Sequence, residues 1–93
     1  MKKPKRLPPI ERIEFDFTYD PIKGILYSKH GNSIGATDKD GGSLKIRVGS
    51  NTTTVARVCW ALYYRKDPIG RVIRHINGNP FDNRIENLRA VKM

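Results

Sequence analysis

The spacing of apolar positions changes character twice along this chain. From Ile13 the period is two: Ile13, Phe15 and Phe17 alternate with Glu14, Asp16 and Thr18, the pattern of a half-buried strand. The segment YDPIKG (residues 19–24) then supplies a turn, because Asp20 and Pro21 suit turn initiation and Gly24 tolerates a positive φ. ILYSK (residues 25–29) is predicted to return as the second strand of a hairpin. A polar, glycine-rich passage over residues 31–42 carries a short strand at 33–36. SLKIRVG alternates again, with Leu44, Ile46 and Val48 on one face and Lys45 and Arg47 on the other.

After the threonines Thr52, Thr53 and Thr54 the period becomes helical. Val55, Val58, Cys59, Leu62 and Tyr63 fall at i, i+3, i+4, i+7 and i+8, one face of a helix predicted over 54–67. One of the threonines can cap its start, and Pro68 ends it, since the residue before a proline disfavours α geometry. Cys59 on the apolar face is expected as a small core residue rather than a nucleophile, and Trp60, one step off the stripe, to pack at a sheet edge. Tyr27 and Tyr63 are likewise expected to pack rather than to stack on a ligand. VIRHI and NLRAVK then read as two short strands closing a hairpin over 71–92. The pattern is that of an α+β domain: a small N-terminal antiparallel sheet over 13–50, one central helix and a C-terminal β-hairpin.

Residues 1–12, MKKPKRLPPIER, hold five of the eighteen basic residues and three of the six prolines, with few groups able to pack. They are expected to form a basic, flexible arm ahead of a single domain over 13–93. Ninety-three residues leave no room for a second domain. Eighteen Lys and Arg against nine Asp and Glu give a net charge of +9, which points to a polyanionic partner, nucleic acid first. One cysteine excludes an intramolecular disulfide, and no Cys/His cluster has zinc spacing. The basic N-terminus is followed by no apolar run of signal-peptide or membrane-spanning kind, so a cytoplasmic protein with no membrane partner is expected. His30, in the polar turn SKHGNS, is assigned no role.

Candidate chemistry gathers in RHINGNPFDNRIENLR (residues 74–89). Asn79, Asp82 and Asn83 are residues that bond nearby backbone in turns, and Gly78 and Pro80 are turn formers. HINGNP and DNRIENLR, in register with the helix ARVCWALYYRKDP just upstream, resemble the HNH endonucleases of phages and mobile introns. FTYDPIKGIL resembles an FxYDPxxGxL segment of phage members, which extends the likeness over most of residues 15–92. The resemblance implies a ββα-metal core, in which a hairpin and a following helix grip a divalent cation against the scissile phosphate. It implies His75 as the general base and Asn87 as the middle signature residue that orients it.

Two departures from that family shape the functional expectation. The residue before the histidine is usually Asp or His and binds the metal, whereas Arg74 is a fixed cation with no lone pair to offer a hard ion. The third signature ligand normally lies on a helix beyond the NLR strand, past Met93, so a core lacking that ligand and most of its last helix is expected. A phage-encoded, catalytically degenerate HNH-like protein follows, with no metal site and no cofactor. Its nucleic-acid-binding residues would be Arg57, Arg71, Arg74, Arg84, Arg89, Lys92, Lys45 and Arg47, since guanidinium groups bind phosphate in bidentate fashion. DNA is favoured over RNA; a host protein, as in inhibition of a defence or transcription system, and a second copy of the chain are the other partners considered. The alternative is an active nicking endonuclease with His75 as base, which would need a divalent metal such as Mg²⁺ and a replacement ligand such as Asp82 or Glu86. A further alternative is a protein-binding inhibitor without nucleic-acid affinity.

Overall fold

A computed structural model describes residues 7–34, 45–48 and 51–92. Its elements run α1 (Ile10–Asp16), β1 (Phe17–Asp20), β2 (Ile25–Ser28), β3 (Ser33–Ile34), β4 (Lys45–Val48), β5 (Asn51–Thr54), α2 (Val55–Tyr64), β6 (Arg71–His75), a single 3₁₀ turn at Ile85–Asn87, and β7 (Leu88–Lys92). The strands form three antiparallel sheets, β1-β2-β3, β4-β5 and β6-β7. Helix α2 packs against α1, β1, β5 and β6 and so joins the sheets into one core. The α+β architecture expected from the periodicity is present. No helix among the described residues is long and apolar enough to cross a membrane.

The start of the chain corrects the sequence reading. Residues 10–16 are helix, not strand. Ile10, Ile13 and Phe17 also stand at i, i+3 and i+7, and that spacing prevails: Ile13 is fully buried while Ile10 and Phe17 pack on the core. Phe15, which the alternating pattern placed beside them, is 70% exposed, its ring 5.3 Å from the Lys29 ammonium. Nor do residues 7–12 form a loose arm, because Leu7 joins the core and its backbone N–H donates to Asp67 Oδ2 at 2.9 Å. Residues 1–6, the remainder of the predicted arm, lie outside the described residues.

β1 and β2 form the expected hairpin, but Tyr19 and Asp20, predicted in its turn, pair with Leu26 and Ile25 as strand residues, and Ser33–Ile34 adds a third strand to β2. Residues 35, 36, 43, 44 and 49 of the predicted strands lie outside the described residues. β4 buries Ile46 and Val48 and exposes Lys45 and Arg47. Its partner β5 was read only as a helix cap. Three consecutive threonines are good strand residues, and here they pair with β4 in the register Lys45↔Thr54 to Val48↔Asn51 before Thr54 caps the helix. The Thr54 hydroxyl accepts from Arg57 N at 3.2 Å, satisfying one of the helix's free donors.

α2 buries seven consecutive residues, Val55 to Ala61, so it is surrounded by protein over its first two turns. It ends at Tyr64, short of the predicted 54–67, because Arg65 takes a left-handed conformation (φ 56°) and stops the helix before Pro68 is reached. Tyr63, expected on the core face, is 49% exposed. Burial pushes the Cys59 thiol up to about 12, which makes it an inert core residue.

Candidate functional site

The hairpin β6–β7 sets the site. Its register pairs Arg71↔Lys92, Val72↔Val91, Ile73↔Ala90, Arg74↔Arg89 and His75↔Leu88. Side chains alternate across a strand, so Ile73, Ala90 and Leu88 face the core with His75 at their end, while Val72, Val91, Arg74 and Arg89 share the opposite face. Arg74 and Arg89 are both exposed, and neither forms an ion pair with any described residue. Arg71 and Lys92, also exposed, stand opposite each other at the far end of the ladder.

Between the two strands the chain forms a loop closed by its own asparagines. Asn77 Oδ1 accepts from Asn79 N at 2.8 Å, and Asn79 Oδ1 accepts from Phe81 N at 3.0 Å, the local turn chemistry expected of this residue type. Gly78 sits at φ 77°, which L side chains rarely adopt. Asn87 ties the neck: its Oδ1 accepts from Asn77 N at 2.9 Å, and its Nδ2 donates to Asp82 O at 2.8 Å and to Asn77 Oδ1 at 3.0 Å. Asn87 makes no side-chain hydrogen bond to His75, but its carbonyl accepts from Ile76 N, next to the histidine, at 2.8 Å. Asn87 is 5% exposed and holds the loop.

The residue that meets the histidine is Asn83, its Oδ1 2.8 Å from His75 Nε2. Asn83 is 2% exposed and is fixed from the other side. Its backbone carbonyl accepts from the Tyr19 hydroxyl, Ile85 N donates to Pro21 O at 3.0 Å, and Gly24 lies against the backbone of Asn83 and Arg84. Burial raises the Tyr19 phenol above its usual range, so it remains a donor. The N-terminal turn YDPIKG therefore braces the loop that holds His75. The sequence marked Asn83 as one more turn asparagine; nothing in the residue pattern singled it out, because its partner lies eight positions away across the loop.

Asp82 and Glu86 are occupied by Arg84. Asp82 Oδ1 accepts from Arg84 Nε at 2.8 Å, and Oδ2 accepts from Arg84 Nη2 at 2.8 Å and from Asn77 Nδ2 at 2.9 Å. Hydrogen bonding to the Arg84 side chain holds the Asp82 carboxyl well below the usual carboxylate range. Glu86 accepts from Arg84 Nη1 at 2.6 Å. Among the described residues no three His, Cys, Asp or Glu side chains gather. Arg74, adjacent to the histidine in sequence but on the other face of β6, has no lone pair to offer an ion, and Asp82 is turned to Arg84.

The predicted basic residues separate into two groups. Arg57 is 5% exposed and acts inside the protein: Nη1 donates to Arg71 O at 2.9 Å, and Nη2 donates to Pro68 O at 3.0 Å and pairs with Asp67 at 3.4 Å. Burial lowers its pKa, partly countered by Asp67. Arg57 therefore anchors the turn between α2 and β6 and is not placed to meet a large ligand. Arg84 directs all three guanidinium nitrogens to Asp82 and Glu86. Lys45, Arg47, Arg71, Arg74, Arg89 and Lys92 are exposed on the two hairpins. A cleft of about 440 Å³ lies between these hairpins, lined by Lys45, Thr52, Thr53, Thr54, Arg57, Val72 and Ile73.

Comparison with known proteins agrees with this geometry. Residues 54–93 match the HNH endonuclease family. The solved structure described as "DNA binding and cleavage by the HNH homing endonuclease I-HmuI" is similar at 27% identity and a TM-score of 0.62, over 91% of this chain and 51% of that one. The chain thus spans about half the length of that structure. No curated protein matches.

Proposed function

We propose that the chain is a DNA-binding member of the HNH endonuclease family, which its residues 54–93 match, and that metal-dependent strand cleavage is lost in it. The observation that carries this reading is the pair Arg74 and Arg89, exposed and opposite each other on the β6–β7 hairpin, neither in an ion pair among the described residues. Two guanidinium groups at cross-strand distance repel a divalent cation and suit a phosphodiester, whose oxygens accept paired N–H bonds. Arg71 and Lys92, exposed at the far end of the hairpin on its other face, and Lys45 and Arg47 on β4 add further positive charge. Contacts of this kind give affinity and orientation with little sequence information. The carboxylates that could replace an absent ligand, Asp82 and Glu86, are neutralised by Arg84. A phage origin fits the resemblance of FTYDPIKGIL and HINGNP to phage members.

The test is fluorescence anisotropy on a labelled duplex across a salt series, together with plasmid nicking in Mg²⁺ and Mn²⁺. The expected result is strongly salt-dependent duplex binding, weakened by Arg74→Ala and Arg89→Ala, with no nicking. Absence of duplex binding at low salt, or metal-dependent nicking that His75→Ala abolishes, defeats the proposal.

A second reading, that the protein cleaves phosphodiesters with His75 as base, is favoured by one observation: the imidazole is held by a buried partner, Asn83. The same nicking assay decides it.

A further inference from the structure

The loop around His75 is braced more heavily than a vestigial loop requires, and the bracing converges on one ring nitrogen. Asn83 Oδ1 lies 2.8 Å from His75 Nε2. An amide oxygen only accepts, so the ring must carry its proton on Nε2 to make this bond. Nδ1 has no hydrogen-bond partner among the described residues. Asn83 is itself unable to swing away. It is 2% exposed, its carbonyl is held by the Tyr19 hydroxyl, and the Gly24 backbone lies so close that a Cβ there would be 2.8 Å from the Asn83 carbonyl carbon.

We propose that Asn83, clamped by the turn of Tyr19, Pro21 and Gly24, is a positioning residue that fixes His75 as its Nε2–H tautomer and reserves Nδ1 as the ring's proton acceptor. The clamp and the histidine lie on segments far apart in sequence: the β1–β2 turn supports residues 83–85, and residue 83 supports the end of β6. The histidine's state is thus set by the N-terminal half of the chain. The inference rests on the functional reading above only in taking the surface around His75 as the one that meets phosphate. The tautomer itself is a property of the free protein.

Nitrogen-15 NMR of the full chain, at a pH above the ordinary imidazole value of ~6.5 so that neutral rings dominate, reads the proposal without DNA. In the wild type the His75 shifts should be those of an Nε2–H ring, with a slowly exchanging Nε2 proton. Asn83→Ala should raise the exchange rate of that proton about tenfold, the factor that loss of one hydrogen bond of ~1.4 kcal/mol allows. Asn83→Asp keeps an acceptor oxygen and should keep the Nε2–H tautomer, which a merely structural role for the amide would not require. Tyr19→Phe leaves the Asn83 side chain in place but frees its backbone, and should also speed exchange. Should Asn83→Ala fail to fold, the other two variants carry the test. A proton on Nδ1 in the wild type, or Nε2–H exchange unchanged in both Asn83→Ala and Tyr19→Phe, overturns it. Loss of duplex binding with an intact Nε2–H signal would instead count against the function and leave this inference standing.

Discussion

Arg74 and Arg89 occupy directly opposed positions on β6 and β7, with no carboxylate paired to either among the described residues. Like charges so placed destabilise a hairpin by roughly 0.2–1 kcal/mol. An anion seated between them would reverse the sign of that interaction, so a feature that weakens the free protein would strengthen a phosphate-bound one.

Replacing one member should therefore separate stability from binding. Arg89→Thr puts a good strand residue opposite Arg74 and is expected to raise stability by roughly 0.2–1 kcal/mol in urea unfolding. The same variant should bind duplex DNA more weakly and reduce the slope of log K against log salt by about one contact's share. A change in stability and binding in the same direction would show that the pair is not a phosphate grip.

Arg57 should behave in the opposite way although it is the same residue type. Its guanidinium holds two backbone carbonyls and Asp67 inside the protein, so Arg57→Met should lower stability by about 3 kcal/mol, the scale for breaking a buried charged network. The salt slope of DNA binding by the folded variant should not change. Denaturant titration and salt-dependent anisotropy on the same preparation check both statements.

Gly24→Ala tests whether the N-terminal turn braces the site. Gly24 has φ 72°, and an added Cβ would lie 2.5 Å from Arg84 N and 2.8 Å from the Asn83 carbonyl carbon, both backbone atoms that cannot give way cheaply. The left-handed conformation alone costs about 1–3 kcal/mol for an alanine, and the close approach adds to it. Chemical-shift changes should spread from the turn to residues 83–85 and His75. A variant as stable as the wild type, with shifts confined to the turn, would contradict the bracing.

Period and turn chemistry located α2, the first hairpin and the β6–β7 hairpin, because each depends on neighbours within a few residues. The errors came where two patterns overlapped or where a contact was distant. Ile10, Ile13 and Phe17 satisfy a helical spacing that the alternation of Ile13, Phe15 and Phe17 masks, and only packing against α2 decides between them. Charge composition pointed toward a polyanion but could not sort buried Arg57 from exposed Arg89, since a net charge carries no geometry. Asn87 and His75 were legible through the family resemblance, while the bond that actually holds the imidazole, to Asn83, required the loop to be closed in space.

Acid should loosen the loop before the core. The Asp82 carboxyl is held below its ordinary value by hydrogen bonds from Arg84, so its contribution is complete above about pH 4, the usual range of a free aspartate. That contribution declines as pH falls through the lowered folded value, where the carboxylate takes up its proton. Wild type should accordingly exceed Asp82→Asn in denaturation midpoint at neutral pH, and the difference should shrink toward zero as pH is lowered below that of a free aspartate. A difference that persisted or grew in acid would show that the asparagine perturbs packing rather than the ion pair.

Arg74→Asp addresses the proposed loss of metal chemistry directly. The substitution removes the guanidinium beside His75 and sets a carboxylate across from Arg89, converting a repulsive cross-strand pair into an attractive one. Stability should rise, and duplex affinity should fall because one phosphate contact is replaced by a repelling charge. Mn²⁺ affinity, followed by calorimetry, should increase by at least roughly tenfold, since even an outer partner of a metal site is worth that much. If Mn²⁺ affinity did not move while stability rose as expected, the hairpin would be a phosphate-binding surface whose geometry no longer supports a metal, and Arg74 would not be what excludes the ion.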